Sequence, residues 1–354
     1  MERRDFIKKI AVAGAISTIP DFLMANPNSF AHKEKIWSSL LHLSFNMWED
    51  HDRWLSVPDA NPNMIARVFD PNLRLSEPLW NDALNKMVAM GLNMVIIDLG
   101  DGVIYDSHPE IAVKNAWTKS KLRNELARVR KMGLEPIPKL NFSTGHDAWL
   151  KEYERMVSTE KYYQVCKELI AETMELFDKP RFFHIGYDEE TAQNQRHYDY
   201  AIIRQHNQYW KDFNFFVNEV EKGGARAWIW SDMAWHNPNT FFKNMPKTVI
   251  QSNWYYENNF QDLNNKFVKA YLRLEAEGYD QIPAFGYYEI EKGRYADRNS
   301  INTVQFAEKN FTDAKVLGYM HTSWRPTMEV YRKDILTGLN LTGEAKQWYL
   351  QNRK

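Results

Sequence analysis

A chain of 354 residues can hold one large core or two small ones. Apolar residues make up 44% and charged residues 26%, the balance of a globular domain. The net charge of −1 gives no general attraction to nucleic acid or anionic lipid, and no apolar run is long enough for a stable membrane span.

The N-terminus reads as an address. Arg3-Arg4-Asp5-Phe6-Ile7-Lys8-Lys9 precedes the short apolar run Ile10-Ala11-Val12-Ala13-Gly14-Ala15-Ile16. A charged segment, a brief apolar segment and then small residues describe an export signal. The paired arginines resemble a bacterial twin-arginine signal, with Glu2 where Ser or Thr is usual. That resemblance implies an exported protein, periplasmic or extracellular. Cleavage after Ala25 or Ala31 is compatible with the pattern. Residues 1–31 are therefore set aside as leader, and 32–354 form the domain to be folded.

Beyond the leader, short apolar runs alternate with amphipathic segments. Residues 40–45 read as the first strand. Ser76 caps a helix with Trp80, Leu84, Met87 and Val88 on one face, ending at Gly91, and 94–97 follow as a buried strand. Thr118 opens a helix that stops at Gly133, and 135–140 form the next strand. The pattern continues with a helix at 160–177, a strand at 181–185, and a helix that stops at Gly223-Gly224. Then come strands at 227–230 and 248–252, a helix at 261–276, strands at 282–285 and 316–320, and a last helix after Pro326. Glycine accepts the left-handed conformation that ends a helix, and here it separates helix from strand repeatedly. Strict alternation implies parallel strands with helical crossovers. Eight strands in a chain of this length predict a single-domain α/β fold, a (β/α)8 TIM barrel. A doubly wound open sheet is the runner-up, weakened because no glycine-rich phosphate loop follows any strand.

In such a barrel the chemistry sits at the C-terminal strand ends. In order, these ends lead into Asn46-Met47-Trp48-Glu49-Asp50, Asp98-Leu99-Gly100-Asp101, Asn141 to His146, Gly186-Tyr187-Asp188-Glu189-Glu190, Ser231-Asp232, Asn253-Trp254-Tyr255-Tyr256, Tyr287-Tyr288-Glu289 and His321-Thr322-Ser323-Trp324. Loops are polar in general, which accounts for the acids. It does not account for large aromatics in so many of them, in a chain with 13 Trp and 18 Tyr. Carboxylates among aromatic rings suit glycosidic cleavage. One acid protonates the leaving oxygen, a second group stabilises or attacks the cationic sugar carbon, and the rings contact the sugar. His42, His184 and His321 lack close ligand spacing, so neither metal nor cofactor is expected. The lone Cys166 is read as core.

His184-Ile185-Gly186-Tyr187-Asp188-Glu189 resembles the fourth-strand signature of family 20 glycoside hydrolases, the β-N-acetylhexosaminidases. Ile137 to His146 resembles their third-strand pattern. The resemblance implies an enzyme that releases a terminal N-acetylhexosamine or related sugar from a glycan with retention. Glu189 matches the general acid. Asp188 matches the residue that orients the substrate's 2-acetamido group, whose oxygen is then the nucleophile. His146 matches a histidine near the acid, and Asp98 or Asp101 its acidic partner. Trp230, Trp254 and Trp324 match the aromatic walls, Tyr287 a donor to the acetamido oxygen, and Glu289 an acid that binds hydroxyls. Adjacent strand residues face opposite ways, so Asp188 and Glu189 share a pocket only if the chain leaves regular strand geometry, which Gly186 permits.

Four departures bear on the terminal sugar. Asn46 stands at the first strand end, where the family has a sugar-binding arginine. Trp324 is followed by Arg325 and Pro326 instead of a glutamate. Lys139 and Asn141 replace Glu and Asp, and Tyr187 replaces a small residue. The family's small N-terminal α+β domain is also expected to be absent. Further readings are a barrel that binds carbohydrate without cleaving it, and a glycosidase on a non-acetamido glycan with Asp232 or Glu289 as nucleophile. A register shift of one would make Glu190 the acid. His184 lies within its strand and reads as structural.

Overall fold

The computed structural model describes residues 34–52, 62–196, 198–291 and 294–353. Residues 1–31, read from the sequence as an export signal, lie outside the described residues. Eight parallel strands make one sheet: β1 (Ile36–His42), β2 (Met94–Asp98), β3 (Glu135–Lys139), β4 (Phe182–His184), β5 (Arg226–Trp230), β6 (Ile250–Ser252), β7 (Ala284–Gly286) and β8 (Gly318–Thr322). Their spatial order is β6-β5-β4-β3-β2-β1-β8-β7. Parallel bridges from Gln251 to Gln281 and from Trp254 to Ala284 join the two ends. The sheet thus curls into the (β/α)8 barrel, and the open doubly wound alternative is excluded.

Ten α-helices are described: α1 (Pro62–Arg67), α2 (Glu77–Ala89), α3 (Lys119–Lys131), α4 (Glu160–Leu176), α5 (His206–Lys222), α6 (Met233–His236), α7 (Pro238–Asn244), α8 (Lys266–Ala276), α9 (Asn299–Asn310) and α10 (Arg332–Asn352). The caps expected at Ser76 and Thr118 form, their side chains accepting the backbone N–H of Leu79 and Lys121, and Thr159 caps α4 in the same way by accepting Tyr162 N–H. At Gly133 φ is +87°, the left-handed turn that ends α3 and feeds β3.

Period-two alternation divides the core. Leu40, Met94, Ile96, Ile137, Phe182, Trp228, Ile250, Ile282 and Met320 fill the barrel interior. Leu41, Val95, Ile97, Phe183 and Ile229 point outward against the helices. Two of the boundaries that differ from expectation have a clear local cause. β1 begins at Ile36, because Ser38 and Ser39 are buried and bonded: Ser38 Oγ donates to Tyr319 O at 3.1 Å, and Ser39 Oγ lies 3.0 Å from His321 Nδ1. α8 begins at Lys266, because Asp262 and Asn265 use their side chains to bond backbone N–H groups of Asn264 and Phe267.

Candidate active site

The end of β4 departs sharply from strand geometry. Gly186, Tyr187 and Glu189 have φ of +69°, +71° and +52°. Only glycine takes such values without steric cost, so Tyr187 and Glu189 are held there by partners. Asn141 supplies several of these. Its Oδ1 accepts from Tyr187 N at 3.2 Å and Ser143 N at 3.0 Å, while its Nδ2 donates to Asp188 Oδ1 at 2.9 Å. Asp232 Oδ2 accepts Glu189 N at 2.9 Å. These bonds turn two neighbouring acids to the same side. Gly186 is required as well, since a Cβ there would lie 2.0 Å from Asn141 Oδ1.

Asp188 and Glu189 both line a cavity of about 370 Å³ at the C-terminal mouth of the barrel. Trp48, Trp254, Tyr256, Tyr288 and Trp324 wall it, with Phe45, Ala66, Arg67, Glu289 and Arg325 completing the lining. The rings brace one another. Trp254 stacks on Tyr256 with centroids 5.2 Å apart, and Trp324 Nε1 donates to Tyr256 Oη at 2.8 Å. Trp324 also leans on Trp230, 5.4 Å away, and its own φ is +46°.

Behind the acids, His146 is buried with Nε2 3.2 Å from Glu189 Oε2 and 3.5 Å from Asp188 Oδ2. Its ring meets Trp48 edge-on at 4.5 Å. Burial pushes the Asp188 carboxyl above its ordinary value, against the pull of His146. Burial and the neighbouring Asp188 push Asp232 well above the usual carboxylate range. Burial acts the same way on Glu189, but His146, with help from Arg67, outweighs it and holds this carboxyl low. His146 is correspondingly held above 6.5, because the charges of Asp188 and Glu189 exceed its own desolvation. In the free site the electrostatics thus favour a charged His146–Glu189 pair, with Asp188 and Asp232 shifted toward their neutral forms.

The structure brings Asp188, Glu189, Trp254, Glu289 and Trp324 to this cavity, with His146 and Asp232 directly behind. Trp230 sits one layer lower, packed at 4.6 Å on His184 and against Trp324. Other expectations are corrected. Asp98 does not pair with His146; it takes the Lys139 ammonium and lies 3.3 Å from His42 Nδ1. Asp101 is bonded by Ser44 Oγ and by Asn46 Nδ2. Asn46 ties its loop together through Asp101, Asp70 and Arg74 and is not among the lining residues. Tyr287 stacks on Tyr295 with centroids 5.3 Å apart, and its neighbour Tyr288 lines the cavity instead. The strand ends at Gly286, so alternation could not say which tyrosine turns inward. Glu190 is locked by the buried Arg204, which donates to it at 2.8 and 2.7 Å, and so cannot be the acid. His184 Nδ1 accepts Gly186 N at 3.0 Å, a structural role.

Arg67 was not foreseen in the site. It comes from α1, in the long connection after β1, and lies 4.5 Å over the Trp48 ring. No strand-end pattern marks it. Arg325 and Tyr256 were visible in strand-end motifs but not singled out.

No family model matches the sequence, and no curated protein matches it. Solved structures do. The chain superposes on the β-N-acetylhexosaminidase from Bacteroides fragilis at 13% identity and a TM-score of 0.57, over 90% of this chain and 71% of that one. For the family 20 β-N-acetylhexosaminidase from Streptomyces coelicolor the values are 12%, 0.59, 88% and 64%. For Dispersin B they are 13%, 0.54, 88% and 99%. The chain thus has the barrel fold of these structures along nearly nine-tenths of its length or more, the fold its fourth-strand signature implies.

Proposed function

We propose that this protein is a retaining glycoside hydrolase that releases a terminal β-linked N-acetylhexosamine, or a closely related sugar, from a glycan. The observation that carries the reading is that Asp188 and Glu189 open into one aromatic-walled cavity at the catalytic end of the barrel. Solved structures of the same fold include named β-N-acetylhexosaminidases, which supports the substrate class.

Glu189 faces the glycosidic oxygen as general acid. His146 holds the proton affinity of this carboxyl low in the free site, and a sugar that fills the mouth strips water from it and raises that affinity. His146, 3.2 Å away and raised above its ordinary value by the two acids, is the adjacent proton source. Asp188, fixed by Asn141, accepts the acetamido N–H and so aims the acetamido oxygen at the sugar carbon. The rings of Trp324 and Trp254 bound the acetamido group and favour the charge that develops on the ring. Water activated by Glu189 then opens the cyclic intermediate. A covalent intermediate on Asp232 is disfavoured, since that carboxyl favours its proton and already holds the Glu189 N–H.

The test is turnover of an aryl N-acetyl-β-glucosaminide. Glu189→Gln should lower kcat by about a thousandfold, within the range of a lost general acid. Asp188→Asn should lose activity chiefly on acetamido substrates. Full turnover by Glu189→Gln would end the assignment. The Arg3-Arg4 pattern adds export from the cytoplasm; replacing both arginines by lysine should keep the protein inside the cell.

A further inference from the structure

The cavity mouth carries more positive charge than chemistry at Asp188 and Glu189 uses. Arg67 and Arg325 both line it. Arg67 lies on α1, in the connection after β1, and Arg325 follows β8; both border the opening and feel each other's charge. Glu289, which follows β7, lies on the far side of Arg325 in the strand order.

Neither arginine is held by a close ion pair. Among the described residues Arg67 has no carboxylate within ion-pair distance; its guanidinium rests over the Trp48 ring and its side chain is exposed. Arg325 reaches Asp334 Oδ2 only at 3.6 Å through Nε, and gives Nη1 to the Trp324 carbonyl at 3.2 Å. Glu189 exerts some pull on Arg67, but it is already matched by His146. The molecule elsewhere shows what a matched arginine looks like: Arg204 is bidentate on Glu190, and Arg181 is bidentate on Glu135 at 2.7 Å twice. A guanidinium with no ion pair among the described residues and one held only by a 3.6 Å contact border the same opening and repel each other. A sugar hydroxyl accepts a bond from one of them but leaves the repulsion in place. An oxyanion accepts from both and removes it.

We infer that the sugar taken by this site carries an anionic substituent, a sulfate ester or a carboxylate, held between Arg67 and Arg325 while the ring lies against Trp324 and Trp254. The inference uses the glycosidase reading for the position of the ring.

The experiment is calorimetric binding of monosaccharides to the whole protein. The probes are N-acetylglucosamine, its monosulfate esters at each ring hydroxyl, and glucuronic acid. At least one anionic sugar should bind roughly tenfold tighter than N-acetylglucosamine in low salt, as expected for charge-assisted bonds at a partly exposed rim. The sulfated and uronic arms tell which anion it is. High salt should narrow the ratio by screening. Arg67→Met and Arg325→Met should each narrow it further, and lysine at either position should restore part of it. The proposal is overturned if no anionic sugar outbinds the neutral one, or if the preference survives both methionine variants. Hydrolysis is read separately. An anionic preference with no turnover of any aryl glycoside refutes the hydrolase reading and keeps this one; brisk turnover with no anionic preference does the reverse.

Discussion

Two clusters of acids occupy the same barrel and are treated in opposite ways. At the ends of β1, β2 and β3, the Lys139 ammonium sits on Asp98, and His42 lies beside it; all three are buried. Lys139 and His42 outweigh the cost of burial, and Asp98 is held below its ordinary value. At the ends of β3, β4 and β5, His146 lies within ion-pair distance of Asp188 and Glu189, Asp232 has no cation that close among the described residues, and two of the three acids are pushed toward their neutral forms. The first cluster is electrically closed, and its charges stay fixed as conditions change. In the second, the acids outnumber the cations in direct contact with them, so their protons respond to whatever enters the cavity. Equal residue types thus give a brace in one place and a reactive group in the other, and local charge balance makes the difference.

The largest effect should come from opening the closed cluster. Asp98→Asn strands the Lys139 ammonium in the interior and should cost about 3–5 kcal/mol in denaturant unfolding. Asp98→Leu with Lys139→Met removes both charges and should recover most of that loss. Glu189→Gln, in the other cluster, should leave the unfolding midpoint nearly unmoved while activity collapses. If Asp98→Asn proves as stable as the parent, the contrast between the clusters is wrong.

A smaller effect, of about 2 kcal/mol, should follow Gly186→Ala, which adds a Cβ to a left-handed residue against Asn141 Oδ1. Its consequence for activity should exceed its consequence for stability. Asn141 positions Asp188 and the Tyr187 N–H together, so its displacement misaims the acid, and a misplacement on the order of 1 Å costs about a hundredfold in rate. An alanine variant that unfolds earlier but turns over normally would show that the bend serves folding alone.

The barrel was legible because its signals are local. Caps at Ser76 and Thr118, glycine stops, and apolar runs of strand length each depend on a few neighbouring residues. Asp188 and Glu189 were legible because one short segment carries the strand, the glycine and both acids. Partnerships across strands were not. Asp98 and Asp101 both stand at a strand end, and nothing in the sequence says that Lys139 claims one while Ser44 and Asn46 claim the other. Tyr287 and Tyr288 differ by one register step beyond a strand of three residues. Arg67 arrives from a helix inside a long connection, where periodicity carries no information about the barrel mouth.

The responsive cluster should also reveal itself through pH. His146 is raised above 6.5 by Asp188 and Glu189, so its pairing stabilises the fold fully below that value and loses strength as pH climbs through the raised one. Asp147 and Glu154, pushed upward by burial, bind protons in the fold that the unfolded chain releases, so they too weaken stability as pH rises. The difference between parent and His146→Gln is therefore the readout. The parent should be the more stable at pH 6, with the gap closing toward alkaline pH. A gap that stays constant would mean that His146 packs against Trp48 without carrying a proton.

The smallest effect belongs to Tyr256. Its hydroxyl accepts from Trp324 Nε1 at 2.8 Å and lies 3.1 Å from Thr322 Oγ1, which also reaches Phe285 O at 3.3 Å. Tyr256 lines the cavity, and Tyr287, the expected donor, does not. Tyr256→Phe keeps the stacking on Trp254 and removes only the oxygen. The loss of the Trp324 bond should cost about 1 kcal/mol and loosen that wall, raising KM several-fold. A fall in kcat as well, confined to acetamido substrates, would mean that this phenol donates to the acetamido oxygen in the transition state. A change in neither parameter would mean that the wall holds its shape by packing alone, and that Tyr288 is the tyrosine to test next.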